Sequence, residues 1–277
     1  MGCQSARLGF LVSKVLTPLA ALIAFLASSI FAVGVQALEG GLPAPPMHFG
    51  LLGTIAVPGS KIGQGFSAIQ IAPTWALTAA HVAPPVGAIF ANDYGMSVIS
   101  EVLTFTTRVP TIAPIPGAIR DDIALLHLAK AITSPYLPRL ADENFLPREP
   151  LSAGLGTLVS NNPGLNRRRF GVAPMRVTAN VPGFALAIAT AGANADAVRL
   201  VSGDSGSAIF VGHLLNTDAS SVLLGIASAQ ATTPSGLHLA IFTRIGAYRT
   251  LLDKAVGASG EQLRWTAGPA PIRRSFP

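Results

Sequence analysis

The chain has 277 residues, half of them apolar and only 12% charged, with a formal net charge of +6. That length allows a sizeable core, and the low charge excludes a disordered chain or a coiled coil. Abundant Gly and Pro with few aromatics point instead to a compact, β-rich protein with many turns.

Residues 1–37 read as an export leader. Arg7 and Lys14 are the only charges before Glu39, and an uncharged apolar run follows Lys14 as far as Val35. Val35-Gln36-Ala37 is a small-residue pattern suited to cleavage after Ala37. The run is also long enough to span a bilayer, so a retained anchor is the alternative, and only then does the chain meet a membrane. Either way the rest of the chain is expected to be exported, whether secreted or periplasmic. Without Arg7 and Lys14 the balance is 17 basic against 13 acidic residues, 17 − 13, or about +4. Arg167-Arg168-Arg169 and Arg273-Arg274 are the tight basic clusters, and they read as a solvated loop and tail rather than a nucleic-acid site. The single cysteine, Cys3, lies in the leader, so the mature chain is expected to have neither a disulfide nor a thiolate metal site.

Beyond Ala37, short apolar runs alternate with turn residues. FGLLGTIAV (49–57), GFSAIQIA (65–72), DIALLHLA (122–129), LSAGLGTLVS (151–160), SGSAIFVG (205–212), SVLLGIASA (221–229) and HLAIFTRI (238–245) have the length and composition of strands. Many short strands favour a barrel or a sandwich. The proline-rich passage 133–150 reads as a linker between two halves. IGAYRTLLDKAVG (245–257) has helical spacing, with Ile245, Tyr248, Leu251, Leu252 and Val256 on one face and Gly257 as its stop. The remainder, 258–277, reads as a flexible tail.

Three segments carry candidate chemistry. Gly203-Asp204-Ser205-Gly206 sets a hydroxyl on a glycine-flanked turn just before an apolar run. A serine at neutral pH needs a base, usually an imidazole, and the imidazole needs an acid to fix its tautomer. Of the five histidines, His81 stands where the apolar run WALTAA gives way to a turn. Asp122 opens the strand-like DIALLHL.

TAAH (78–81), DIAL (122–125) and GDSG (203–206), in that order, resemble the signatures of the chymotrypsin-like (trypsin-fold) serine endopeptidases. The resemblance extends over nearly the whole mature chain. It implies an all-β fold of two packed antiparallel six-stranded β-barrels with a C-terminal helix. The first barrel would cover 38–140, the second 141–245, and the helix 246–257. It implies Ser205 as nucleophile, His81 as general base and acid, and Asp122 as the residue that orients it. The backbone N–H groups of Gly203 and Ser205 would form the oxyanion hole. No cofactor and no metal is implied, and the expected partner is a protein or peptide substrate. Asp121, beside the triad acid, is expected to be an exposed acidic turn.

In this family the acid before the serine pairs with a newly freed α-amino group. Leu38-Glu39-Gly40-Gly41 fits that role after a cut at Ala37; an ordinary mobile N-terminus is the other reading. The family places the floor of its specificity pocket at Arg199, with Ser228 and Gln230 on the cleft strand as substrate-binding positions. Arg199 either selects acidic side chains at P1, the residue before the scissile bond, or is consumed in an internal ion pair. The sequence departs from the family in lacking its disulfides, in Ser207-Ala208 after the nucleophile motif, and in Ala229-Gln230 on the cleft strand. Gly-x-Ser-x-Gly and His-Glu-x-x-His are absent, which argues against an α/β-hydrolase and a zinc hydrolase. His127 is expected at an interface within a strand, and His48, His213 and His238 on the surface or in loops. The rival from a different class is a trypsin-fold binding protein without catalysis.

Overall fold

The computed structural model describes residues 38–59, 65–106, 119, 121–145, 154–162, 167–176, 184–189, 198–232 and 238–266. The leader and the last eleven positions, 267–277, lie outside the described residues.

Six antiparallel strands close the first barrel: β2 (Leu52–Ala56), β3 (Gly65–Ala72), β4 (Trp75–Thr78), β5 (Ile89–Asn92), β6 (Gly95–Thr104) and β7 (Ala124–Leu128), in the order β2-β3-β4-β7-β6-β5. Period-two alternation divides their side chains. Ala68, Ala76, Leu126 and Leu128 point into the barrel with Ile55, Phe90 and Ile99. Ile69, Ile71, Trp75, Leu77 and Leu125 point the other way, into a core shared with the second half. Burial on both faces is why GFSAIQIA reads as a nearly continuous apolar run.

The second sheet contains β1 (Leu42–Pro43), β8 (Arg139–Ala141), β9 (Gly154–Asn162), β10 (Arg167–Arg176), β11 (Phe184–Ala189), β12 (Ala208–Val211), β13 (Val222–Thr232), β14 (His238–Arg244) and β15 (Trp265–Thr266). The antiparallel pairings β9-β10-β11-β14-β13-β12 return to β9, so these six strands also form a ring. Its core includes Leu38, Leu158, Met175, Val198, Ile209, Leu224 and Phe242. Val159, Phe170, Phe210, Leu223 and Ile226 face the shared core between the barrels. A 3₁₀ turn (Ile245–Tyr248) leads into helix α1 (Arg249–Ala258), which buries Leu252 and Val256 there.

Several segments differ from their sequence reading. The boundary between the halves is not a simple cut near 140. Leu42 and Pro43 pair with β10, and β8 inside the presumed linker pairs in parallel with β13. Strands β5, β6 and β11 lie in segments with no strand assigned from sequence. The presumed tail is held as far as Thr266: Ser259 accepts from Trp75 Nε1 at 2.9 Å, Glu261 accepts from Thr74 Oγ1 at 2.9 Å, and β15 pairs with β8. The basic cluster is a strand, not a solvated loop. Arg168 donates to Asp93 at 2.8 and 3.0 Å, to the carbonyls of His48 and Leu52, and to Asn161 Oδ1, so its guanidinium staples one barrel to the other.

Candidate active site

The pairing of β4 with β7 builds half of the site. Thr78 lies opposite Ala124 in an antiparallel register, so the chain leaving β4 and the chain entering β7 share one end of the barrel. His81, in the 3₁₀ turn Ala80–Val82, and Asp122 emerge there together. Asp122 is fully buried. Its Oδ1 accepts from the His81 backbone N–H at 2.9 Å, and its Oδ2 lies 2.7 Å from His81 Nδ1. The carboxylate therefore holds the Nδ1 proton and leaves Nε2 as an acceptor.

The second barrel brings in the hydroxyl. Ser205 stands on the turn before β12, and its Oγ is 2.8 Å from His81 Nε2. Its carbonyl accepts from the Ser67 N–H of β3 at 3.2 Å, which fixes the turn against the first barrel. Gly206 has a φ of 81°, and a Cβ there would lie 2.0 Å from the Ser67 carbonyl oxygen and 2.4 Å from Thr78 Oγ1. Only glycine fits. Gly203 has a φ of 100° and is exposed. Among the described residues, no carbonyl or carboxylate accepts from the N–H of Gly203 or Ser205.

Asp204 faces away from the hydroxyl and is buried. It accepts from Leu38 N at 3.1 and 3.2 Å, from Val201 N at 2.7 Å and from Ser160 Oγ at 2.6 Å. Burial raises its pKa to about 6, against the opposing pull of the Ser160 hydroxyl and the Val201 and Leu38 amides.

Three residues of the neighbourhood have partners that the sequence does not signal. Ser228, expected as a substrate-binding position, is buried and donates to Asp122 Oδ2 at 2.5 Å. The bulge between Ala227 and Ala229 on β13 accompanies its turning inward. Asp121 is half-buried and accepts from the Tyr248 hydroxyl at 3.0 Å, so it anchors the C-terminal turn instead of lying exposed. His238 is a strand residue whose Nε2 lies 3.2 Å from Arg199 Nη1.

Arg199 and Gln230 lie together, apart from the triad contacts. With Val201, Ala231, Thr232 and His238 they line a cavity of about 410 Å³. Arg199 makes a partly exposed ion pair with Glu39, and its N–H donates to the Glu39 carbonyl at 3.1 Å. Elsewhere, His127 packs against Trp75 with ring centroids 4.4 Å apart, His48 Nδ1 contacts the Leu215 carbonyl, and His213 is exposed. Among the described residues no His, Cys, Asp and Glu cluster suits a metal ion. Sequence reasoning overlooked Ser67 and Ser160, because a lone serine in an apolar strand has no local signature.

A closed six-stranded barrel, a second sheet that rings beside it and a single C-terminal helix define a trypsin-like fold. Among the solved structures it resembles is a scabies mite inactivated protease paralogue, S-I1, at a TM-score of 0.55 and 15% sequence identity, over 79% of this chain and 100% of that one. No protein-family model matches the chain, and no curated protein matches it in sequence.

Proposed function

We propose that the chain is an exported serine endopeptidase that cleaves peptide bonds through an acyl-enzyme. The observation that carries this reading is the continuous path from Ser205 Oγ to His81 Nε2 at 2.8 Å and from His81 Nδ1 to Asp122 at 2.7 Å. The Ser205 oxygen attacks the scissile carbonyl while Nε2 takes its proton. The tetrahedral oxyanion is bound by the N–H groups of Gly203 and Ser205. Collapse of that intermediate breaks the C–N bond, and imidazolium gives its proton to the departing amine. Water, deprotonated by the same Nε2, then attacks the ester; collapse breaks the acyl–Oγ bond, the imidazolium returns its proton to Ser205 Oγ, and the acid leaves. Asp122 stays ionised and stabilises the imidazolium at each stage.

The Arg199–Glu39 pair supports a specificity cavity with no uncompensated charge, and hence a preference for neutral P1 side chains over acidic ones. Export rests on the composition of residues 1–37. A cut after Ala37 would turn Leu38 N from an amide into an ammonium 3.1 Å from the Asp204 carboxylate, strengthening a contact that the uncut chain already makes with a neutral donor.

A second reading has one observation in its favour: a structural neighbour is described as an inactivated protease paralogue. In that reading the chain binds proteins without cleaving them. Incubation with a mixed peptide library separates the two. The endopeptidase reading expects hydrolysis that disappears in Ser205→Ala. Hydrolysis that persists in that variant, or none from folded chain in either processing state, would reject it.

A further inference from the structure

Beneath the nucleophile turn, the buried side chains of Ser67, Ser160 and Ser207 lie together. They come from three separate elements: Ser67 from β3 of the first barrel, Ser160 from β9 of the second, and Ser207 from the turn itself. Ser207 Oγ donates to Ser160 Oγ at 2.6 Å and lies 3.3 Å from Ser67 Oγ, and Ser160 Oγ donates to Asp204 Oδ1 at 2.6 Å. Each hydroxyl has one proton and two lone pairs. When the Ser160 proton goes to the carboxylate, its lone pair is free to receive Ser207. The result is a line of donors that converges on one carboxylate oxygen.

From this arrangement we infer that Ser160 is a positioning residue: its hydroxyl, held by Ser207, fixes the Asp204 carboxylate and thereby the backbone of residues 203–205 whose amides face the reacting carbonyl. The inference rests on the endopeptidase reading and adds a residue to it. Asp204 is bonded on both sides of the nucleophile. Its own N–H donates to the Val201 carbonyl at 3.1 Å, and its carbonyl accepts from Ser207 N at 3.0 Å. Asp204 therefore joins the contacts made by its carboxylate to the hydrogen-bonded backbone of the Gly203–Asp204–Ser205 turn. The other side-chain oxygen is held by Val201 N at 2.7 Å, four residues before the nucleophile. Ser160 is the contact that reaches Asp204 from the wall of the second barrel, so it ties the nucleophile turn to that wall. The Ser67 backbone does the same for the Ser205 carbonyl. Ser160 touches no reacting atom. Its influence should therefore fall on the rate of the chemical step and not on the binding of the leaving group or the acyl chain.

The test uses the full chain and an alkyl fluorophosphonate, whose phosphoryl oxygen needs the same two amides. Inactivation rates over a range of concentrations give kinact and KI separately. Ser160→Ala is expected to lower kinact by roughly 10-fold or more, the scale of losing a hydrogen bond to a charged group, with KI nearly unchanged. Ser160→Thr, which keeps a hydroxyl at the same position, is expected to restore most of kinact. Should Ser160→Ala fail to fold, Ser207→Ala removes the donor to Ser160 Oγ together with the longer contact to Ser67 Oγ, and kinact must fall in it with KI constant. Equal kinact in the parent and in a folded Ser160→Ala variant, or a change confined to KI, overturns the inference and leaves the endopeptidase reading intact. A folded parent chain that does not react, either with residues 1–37 or without them, overturns both.

Discussion

Replacing Ser228 by alanine isolates the support of Asp122, the acid of the proposed triad. Asp122 is fully buried and accepts three hydrogen bonds: His81 N at 2.9 Å, His81 Nδ1 at 2.7 Å and Ser228 Oγ at 2.5 Å. Two of these come from the histidine that Asp122 is meant to orient. Among the described residues, Ser228 is therefore the donor that ties the carboxylate to the second barrel. A hydrogen bond to a charged group contributes about 1.5–3 kcal/mol, and removing it leaves a buried charge short of a partner. If about half of that loss is felt only when His81 is protonated, the barrier rises by about 1 kcal/mol or slightly more, which is roughly a 5- to 10-fold fall in kcat. The remainder falls on stability and lowers Tm by a few degrees. Steady-state hydrolysis of a peptide substrate, normalised to titrated active sites, measures the first effect, and a thermal melt the second. Ser228→Ala with both kcat and Tm unchanged would refute the reasoning, because a buried carboxylate would then be indifferent to losing its shortest hydrogen bond.

The remaining predictions follow from single contacts. Gly206→Ala drives a Cβ to 2.0 Å from the Ser67 carbonyl at a positive φ, so the variant should lose several kcal/mol of stability and all activity; a melt matching the parent would contradict this. Glu39→Gln should uncover the Arg199 charge and raise cleavage after Asp or Glu by up to roughly 5-fold, read from a peptide-library profile, and an unchanged profile would mean that Arg199 does not meet the P1 side chain. Asp204 has its pKa raised from 3.8 to about 6, so its folded form holds a proton that the unfolded chain has released. Stability is then highest below pH 4 with respect to this group and declines as pH rises through about 6, by roughly 3 kcal/mol. A chain cut after Ala37 should lack this decline, because an ammonium would sit beside the carboxylate. Thermal melts of both forms between pH 4 and 7 test the difference, and identical curves would contradict it.

The readable part of the site was the part with a local signature. His81 and Asp122 stand at strand ends whose small and apolar neighbours mark the strands themselves, and the β4–β7 register brings the two together. Gly203 and Gly206 were readable because their positive φ admits little else. The bond from the Ser228 hydroxyl to Asp122 was not readable because it depends on a bulge on β13, which no composition signals. Arg168 was misread because a run of arginines looks solvated until its partners Asp93, His48 and Leu52 arrive from another barrel. Strands β5 and β6 were overlooked because their outward positions, Ile89, Met96 and Val98, are exposed hydrophobics that blur the alternation. In each case the missing information was a long-range contact, not a local preference.

The central claim is that Ser205 is activated by His81 across 2.8 Å. An alkyl fluorophosphonate followed by intact-mass and peptide mapping tests it most directly. The account predicts one adduct per chain, on Ser205, that is abolished in His81→Ala. A folded chain that takes up no reagent after the leader is removed, or one labelled equally with His81 absent, would contradict it.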